Sequence, residues 1–236
     1  MSTDSRHILG VFEDAINNLK ADIRQMGDIA QRSLGHAMQG LYERNPDLCN
    51  RTIADDDEVD ELQKKIDREG IEIMVKYSPV ARNLRRVVAT MKVSTALERI
   101  TDHAVSLARR ARQIMQHPAT EEVEGIRGIH ELVAAQLKDS VDSFCNGDLE
   151  LALRIQGRDD EIDAAYKAFH RDIIARMEQN PVRIREHVDA LFITSLLERI
   201  GDQSVNVSED AVYLLTAYDI RHGGERPSAD AQRRTI

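Results

Sequence analysis

The sequence LERITDHAVSLARRA at residues 97–111 returns as LERIGDQSVNVSEDA at residues 197–211, 100 positions further along the chain. Both copies carry the string Glu-Arg-Ile-x-Asp within a similar apolar context. Self-similarity at a fixed offset indicates an internal duplication. We therefore predict that the chain consists of two similar units.

A second acidic motif precedes each copy. Asp-Asp-Glu-Val-Asp at residues 56–60 reappears as Asp-Asp-Glu-Ile-Asp at residues 159–163. Both motifs place two acids four residues apart, as Glu-Arg-Ile-x-Asp also does, and on an α-helix such residues are neighbours about 6 Å apart along the axis. Eight acids share this arrangement: Asp56, Asp60, Glu98, Asp102, Asp159, Asp163, Glu198 and Asp202.

These acids have two interpretations. Acidic residues make up 41 of 236 positions, so a single pair at this spacing arises by chance and would be a solvated helix face. Four pairs at matching positions of two units instead favour a shared cation site in each unit. Carboxylate ligands suit hard ions, so we expect divalent or trivalent Fe, Mn or Mg rather than Zn, which prefers added His or Cys.

The composition restricts the class of protein. Aromatic residues are only 4% and Trp is absent, which favours helices over strands. A net charge of −9 argues against nucleic acid or an anionic membrane surface as the main partner. Cys49 and Cys145 lack metal-binding spacing and indicate reduced thiols. No apolar run approaches the roughly 18 residues of a membrane span, so we expect a cytoplasmic protein without membrane insertion.

Apolar residues recur at spacings of three and four along most of the chain, the pattern of amphipathic helices. Pro or Gly breaks separate six predicted helices, at residues 6–44, 48–77, 81–115, 121–146, 149–179 and 184–221. Long antiparallel helices with short connections form bundles. The predicted fold class is therefore all-α, a tandem repeat of two three-helix bundles.

The domain boundaries follow from the breaks. We predict a first bundle at residues 1–117 and a second at residues 118–222, with the joint at residues 117–120. Residues 223–236 are polar with nothing to bury, which predicts a flexible tail.

With these motifs in view, the chain resembles the PhoU family of phosphate-uptake regulators over about residues 7–220. Leu-Glu-Arg-Ile-Gly-Asp at residues 197–202 is the most recognisable motif of that family, and the four acid pairs match its acid-x-x-x-Asp pairs. The sequence departs from the family pattern of Asp, Gly, Asn and His at Asn83, Thr101, Ser106 and Gln203.

The resemblance implies a function as well as a fold. PhoU-type proteins are cytosolic, often homodimeric, and some carry metal clusters on the bundle surfaces. They act with the ATPase of the phosphate ABC transporter and with a sensor histidine kinase. The resemblance therefore implies a regulatory adaptor that represses the phosphate-starvation response when phosphate is plentiful.

The alternative is a metal-dependent hydrolase acting on phosphate compounds. The sequence has no Ser-His-Asp elbow or phosphate-cradling Gly loop, and no Glu-x-x-His pair accompanies the acid motifs, so we expect no enzyme. His103, next to Asp102, is expected to be a surface or packing residue. Basic clusters at residues 82–86 and 109–112 indicate solvated faces, or a site for phosphate or an acidic partner.

Overall fold

The computed structural model describes residues 3–118 and 122–221. The chain order is α1 (Thr3–Glu43), α2 (Pro46–Tyr77), α3 (Arg82–Ile114), α4 (Glu122–Gly125), α5 (Arg127–Asn146), α6 (Leu149–Gln179), a 3₁₀ turn (Pro181–Arg183) and α7 (Ile184–Thr216). Neither described range contains a strand. The all-α prediction, with six long helices in two matching sets of three, is confirmed.

Short polar residues and glycine set the helix ends. Asn45 precedes α2, and its side-chain oxygen accepts a hydrogen bond from the backbone N–H of Asp47 at 3.0 Å. Gly147 ends α5 in the left-handed region at φ 69°, and Asp148 then accepts from the N–H of Leu151 at 2.9 Å. These contacts satisfy backbone groups that have no partner within the helix.

Two predicted helices differ from the structure. The helix expected to reach residue 221 ends at Thr216, because Ala217 turns left-handed at φ 66° and the chain returns to bury Ile220. The helix expected over residues 121–146 is interrupted at Ile126, whose N–H bonds to the Val123 carbonyl in a tighter turn. Ile126 is fully buried there, so core packing overrides the helical continuity that the sequence suggested.

Helices α3 and α7 form the centre of the molecule. Each packs against the other two helices of its own bundle, and the two pack against each other. They run antiparallel, since Lys92 near the start of α3 bonds to Asp210 near the end of α7, while Arg110 bonds to Asp189. Helix α1 also contacts α5, and the buried apolar side chains of both bundles form one continuous core.

The connection between the bundles runs from the end of α3 at Ile114 to the start of α4 at Glu122. The predicted boundary between residues 117 and 118 falls within this connection. Residues 119–121, which include part of the expected joint and the expected helix start at 121, lie outside the described residues. The predicted tail at residues 223–236 also lies outside them.

Candidate metal centres on the two bundles

The first acid cluster lies where α2 packs on α3. Asp56 and Asp60 are on α2, Glu98 and Asp102 are on α3, and all but the exposed Asp102 are half-buried. Burial raises the pKa of Asp56, and the charges of Asp102 and Asp60 raise it further. Burial also raises the pKa of Glu98, with additional contributions from Asp102 and Asp60. The two sequence pairs are therefore brought together across the helix contact.

The second acid cluster repeats this arrangement between α6 and α7. The pKa of Glu198 is raised by burial and then by the charges of Asp202 and Asp163. The pKa of Asp202 is raised by burial and then by Asp159 and Asp163. Each bundle thus holds a group of mutually repelling carboxylates at its own helix contact.

Neighbouring side chains make the two clusters unequal. The buried Gln136 of α5 donates from Nε2 to Asp159 Oδ1 at 3.2 Å and to the Gly201 carbonyl at 3.2 Å. Burial raises the pKa of Asp159, and this hydrogen bond opposes the rise. Lys167 bonds to Asp163 at 2.5 Å. None of the four carboxylates of the first cluster has a hydrogen-bond or ion-pair partner in the described part of the chain.

Gln136 is a site residue that the acid motifs did not reveal. It lies on α5, which carries neither acid pair, and it is a polar residue that is fully buried. The available signal was its place three residues after Val133 in the apolar stripe of a helix. A polar side chain in such a stripe requires a buried hydrogen-bond partner.

The donor set of both clusters suits a hard cation, since it consists of carboxylate oxygens from two helices. The side chains do not meet at one point, however. Within residues 3–118 and 122–221, no three Asp, Glu, His or Cys side chains are grouped closely enough to hold a metal ion. The helices bring the eight predicted residues into two clusters, and closing a coordination sphere requires their side chains to turn.

The other residues singled out in the sequence have separate roles. His103 is half-buried, and burial followed by the charge of Arg199 lowers its pKa. Arg110 bonds to Asp189 at 2.8 Å and lies 4.0 Å over the Phe192 ring, so it links the two bundles instead of being solvated. The half-buried position of His103 is in keeping with a packing role.

The arginines of the basic cluster near the start of α3 also differ from one another in their contacts. Arg86 donates both terminal nitrogens to Glu13, at 2.8 and 2.9 Å. Arg82 is exposed and faces a cleft between the bundles. The cluster is therefore not a uniform solvated face.

Fold and site together define a class of protein, an all-α tandem of three-helix units with matched acid pairs on the packed helices of each unit. No helix in the described ranges is both long and apolar enough to span a bilayer. The chain belongs to the PhoU family, since the PhoU domain matches residues 23–111 and again residues 126–211.

Individual relatives confirm the resemblance. The phosphate-specific transport system accessory protein PhoU homolog of Caulobacter vibrioides strain NA1000 is 30% identical over 227 residues, covering 96% of this chain and 98% of the relative. The homolog of Clostridium acetobutylicum is 29% identical over 211 residues, covering 89% and 96%. The crystal structure of PhoU from Pseudomonas aeruginosa matches with a TM-score of 0.85 and 26% identity, covering 87% of this chain and 99% of that one.

Proposed function

We propose that this protein is a regulatory adaptor of phosphate uptake in the cytoplasm. It represses the phosphate-starvation response by contacting the ATPase of the phosphate ABC transporter and the sensor histidine kinase, and it acts as a homodimer. Membership of the PhoU family supports the proposal, as do the names of the relatives, which call them accessory proteins of the phosphate-specific transport system.

One observation carries the adaptor role. The chain repeats a carboxylate cluster on two helix pairs, and within the described residues no histidine is hydrogen-bonded to any cluster carboxylate. The long helices instead present extended faces, a common way for proteins to dock other helices. A charged cluster on each bundle, with no described histidine hydrogen-bonded to it, is better suited to binding a partner than to catalysing a reaction.

We further propose that each cluster binds a hard cation. Asp56, Asp60, Glu98 and Asp102 would hold it in the first bundle, and Asp159, Asp163, Glu198 and Asp202 in the second. Like charges four residues apart on a helix destabilise it by about 0.2–0.5 kcal/mol per pair. A bound Fe, Mn or Mg ion would reverse the sign of that interaction and hold the side chains of the cluster together.

A metal-dependent hydrolase remains the second candidate, because clustered carboxylates also hold the metal ions in the active sites of enzymes that act on phosphate compounds. The two candidates differ in one measurable respect. A hydrolase loses turnover of phosphate compounds when its carboxylates become amides, whereas an adaptor has no turnover to lose.

Deleting the gene tests the regulatory role. We expect phosphate-starvation genes to be expressed in phosphate-rich medium, and unchanged expression would contradict the proposal. A pull-down from phosphate-replete cells should recover the transporter ATPase and the kinase. Complementing the deletion with a variant that carries Glu98→Ala, Asp102→Ala, Glu198→Ala and Asp202→Ala then tests whether metal binding is needed for repression. If the variant binds no metal but still represses, signalling depends on the helix surfaces alone.

A further inference from the structure

A cleft opens between the two bundles where α3 begins and where α5 and α7 end. Its volume is about 510 Å³, within the range of roughly 300–1,000 Å³ typical of small-molecule sites. None of the eight cluster carboxylates lines it. The cleft is therefore a separate feature from the proposed metal centres.

Three basic side chains and one acidic side chain, Glu13, line this cleft, so the basic groups are in excess. Arg86 is neutralised by its paired hydrogen bonds to Glu13. The charge of Arg82 also contributes to the lowered pKa of Glu13, but neither Arg82 nor Lys20 makes a hydrogen bond or an ion pair within the described residues. In a chain with a net charge of −9, three basic groups and one carboxylate around a single cleft create a locally positive site for an anion.

The rest of the lining is apolar with a few amides. Ile16 and Phe144 form a buried floor, at 5% and 4% exposure, and Leu214 lies beside them. Asn146 accepts a hydrogen bond from Arg24 through Oδ1 at 2.9 Å, so its NH₂ group is left to donate. An apolar wall with a few polar groups is typical of sites for organic ligands.

The internal duplication supplies a control for this cleft within the same molecule. The matching place at the other end of the α3–α7 pair has a volume of only about 10 Å³, room for one water at most. At corresponding positions, Glu186 stands for Arg86 and Ala190 for Thr90. Ile126 and Ile193, both fully buried, line that space.

If the cleft were only a by-product of packing two similar bundles together, a similar cleft would be expected at the matching place. The space beside Glu186 and Ala190 is instead nearly closed, whereas the one beside Arg86 and Thr90 is open. Helices α3 and α7 line both places, but α1 and α5 complete the open one, whereas the connection between the bundles and α4 complete the closed one. This difference makes the open cleft a candidate binding site.

We propose that this cleft binds a small organic phosphate, with the phosphate group on Arg82 and Lys20 and the organic part against Phe144 and Leu214. A guanidinium group presents parallel N–H donors that match phosphate oxygens, and lysine adds a point charge. Free phosphate shares the charged group but would leave the apolar wall without a contact.

Isothermal titration of the full chain in EDTA tests this site independently of the proposed metal centres. The probes are AMP, adenosine and inorganic phosphate at constant ionic strength. We expect saturable binding of AMP, with adenosine and inorganic phosphate each binding at least tenfold more weakly. Arg82→Gln and Lys20→Gln should each weaken AMP binding by about tenfold, the effect of losing one charge-assisted hydrogen bond.

Arg112→Gln is the matched control, because Arg112 is an exposed arginine in a different basic cleft. It should leave AMP binding unchanged. No saturable AMP binding would overturn the proposal, and so would an equal loss in Arg82→Gln and Arg112→Gln. Equal affinity for AMP and inorganic phosphate would overturn the organic part. If Lys20 and Arg82 only complement helix ends, their variants lower the melting temperature while AMP binding is unaffected, which also overturns it.

Discussion

Lys92 of α3 donates a hydrogen bond to Asp210 of α7, with Nζ 3.0 Å from Oδ1, and this ion pair joins the two bundles. Asp210 is only 8% exposed, and burial raises its pKa although the bond to Lys92 opposes that rise. Arg110 and Asp189 make a second inter-bundle pair toward the other end of α3. The antiparallel register of α3 and α7 is thus fixed by charge as well as by apolar packing.

Removing one partner of the Lys92–Asp210 pair should destabilise the fold. Lys92→Met leaves a nearly buried carboxylate without its donor, and we expect a loss of about 1–3 kcal/mol in the free energy of unfolding, measured in urea. Lys64→Met, which breaks the exposed pair with Glu61, is the control and should have no measurable effect. Equal effects of the two variants would contradict a structural role for Lys92.

A close approach of α1 and α5 gives a second stability prediction. A Cβ atom at Gly27 would lie 2.5 Å from Cγ1 of Val141, whereas one at Gly35 meets nothing within 4 Å. Gly27→Ala should lower the free energy of unfolding by about 1–3 kcal/mol through overpacking. Gly35→Ala, on the same helix, should raise it by about 0.5–1 kcal/mol. Adding Val141→Ala to Gly27→Ala should recover part of the loss, and no recovery would place the strain elsewhere.

The raised carboxyl pKa values predict an unusual pH dependence for the metal-free protein. In the folded state the pKa values of Asp56 and Glu98 lie above their ordinary values of 3.8 and 4.5. The folded protein therefore binds more protons than the unfolded chain in that window, so these groups lower stability as pH rises through it. Above the folded pKa values their destabilising effect is complete.

The double variant Asp56→Asn with Glu98→Gln removes this effect. In EDTA at pH 7 we expect it to be more stable than the wild type, by an amount that shrinks as the pH approaches 4. Urea unfolding at several pH values measures the difference, with Glu178→Gln as an exposed control. A difference that stays constant with pH would show that these two carboxylates do not titrate abnormally.

Metal binding is tested by melting the demetallated protein with and without added ions. A cation at 100 times its dissociation constant should stabilise the fold by about 2.7 kcal/mol per site. Glu98→Ala with Asp102→Ala should remove one site, and Glu198→Ala with Asp202→Ala the other, whereas Asp57→Ala should remove neither. Identical melting temperatures with and without Mg²⁺, Mn²⁺, Fe³⁺ and Zn²⁺ would identify both clusters as solvated faces.

Gln136 should support the second cluster through its two hydrogen bonds. Gln136→Leu leaves the half-buried Asp159 without this donor, so we expect a loss of about 1–3 kcal/mol in stability. The pKa of Asp159 should rise, because the hydrogen bond that lowers it is gone. Carboxyl NMR titration measures that pKa, with the exposed Gln39→Leu as control. An unchanged Asp159 pKa would contradict this role.

The sequence alone determined the helices, the duplication and the acid pairs. Each of these depends on local spacing, since a period near 3.6 residues marks a buried face and acids four residues apart share a face. Two helix predictions were wrong, and in both places burial in the core decided the structure instead of the local pattern. At Ile126 burial interrupts a helix, and after Thr216 the chain turns so that Ile220 enters the core. The metal itself and the domain boundaries stay predictions.

Only the tertiary structure decided how the two units meet. Lys92 reaches Asp210 across 118 positions of sequence, a contact between the bundles that no local pattern encodes. Within the second bundle, Gln136 likewise reaches Gly201 across 65 positions. The cleft is of the same kind, since the basic cluster at residues 82–86 did not by itself show which of its arginines faces a cleft. Their roles arise because helix packing brings together side chains that are far apart along the chain, and packing depends on the shapes of all the facing residues at once.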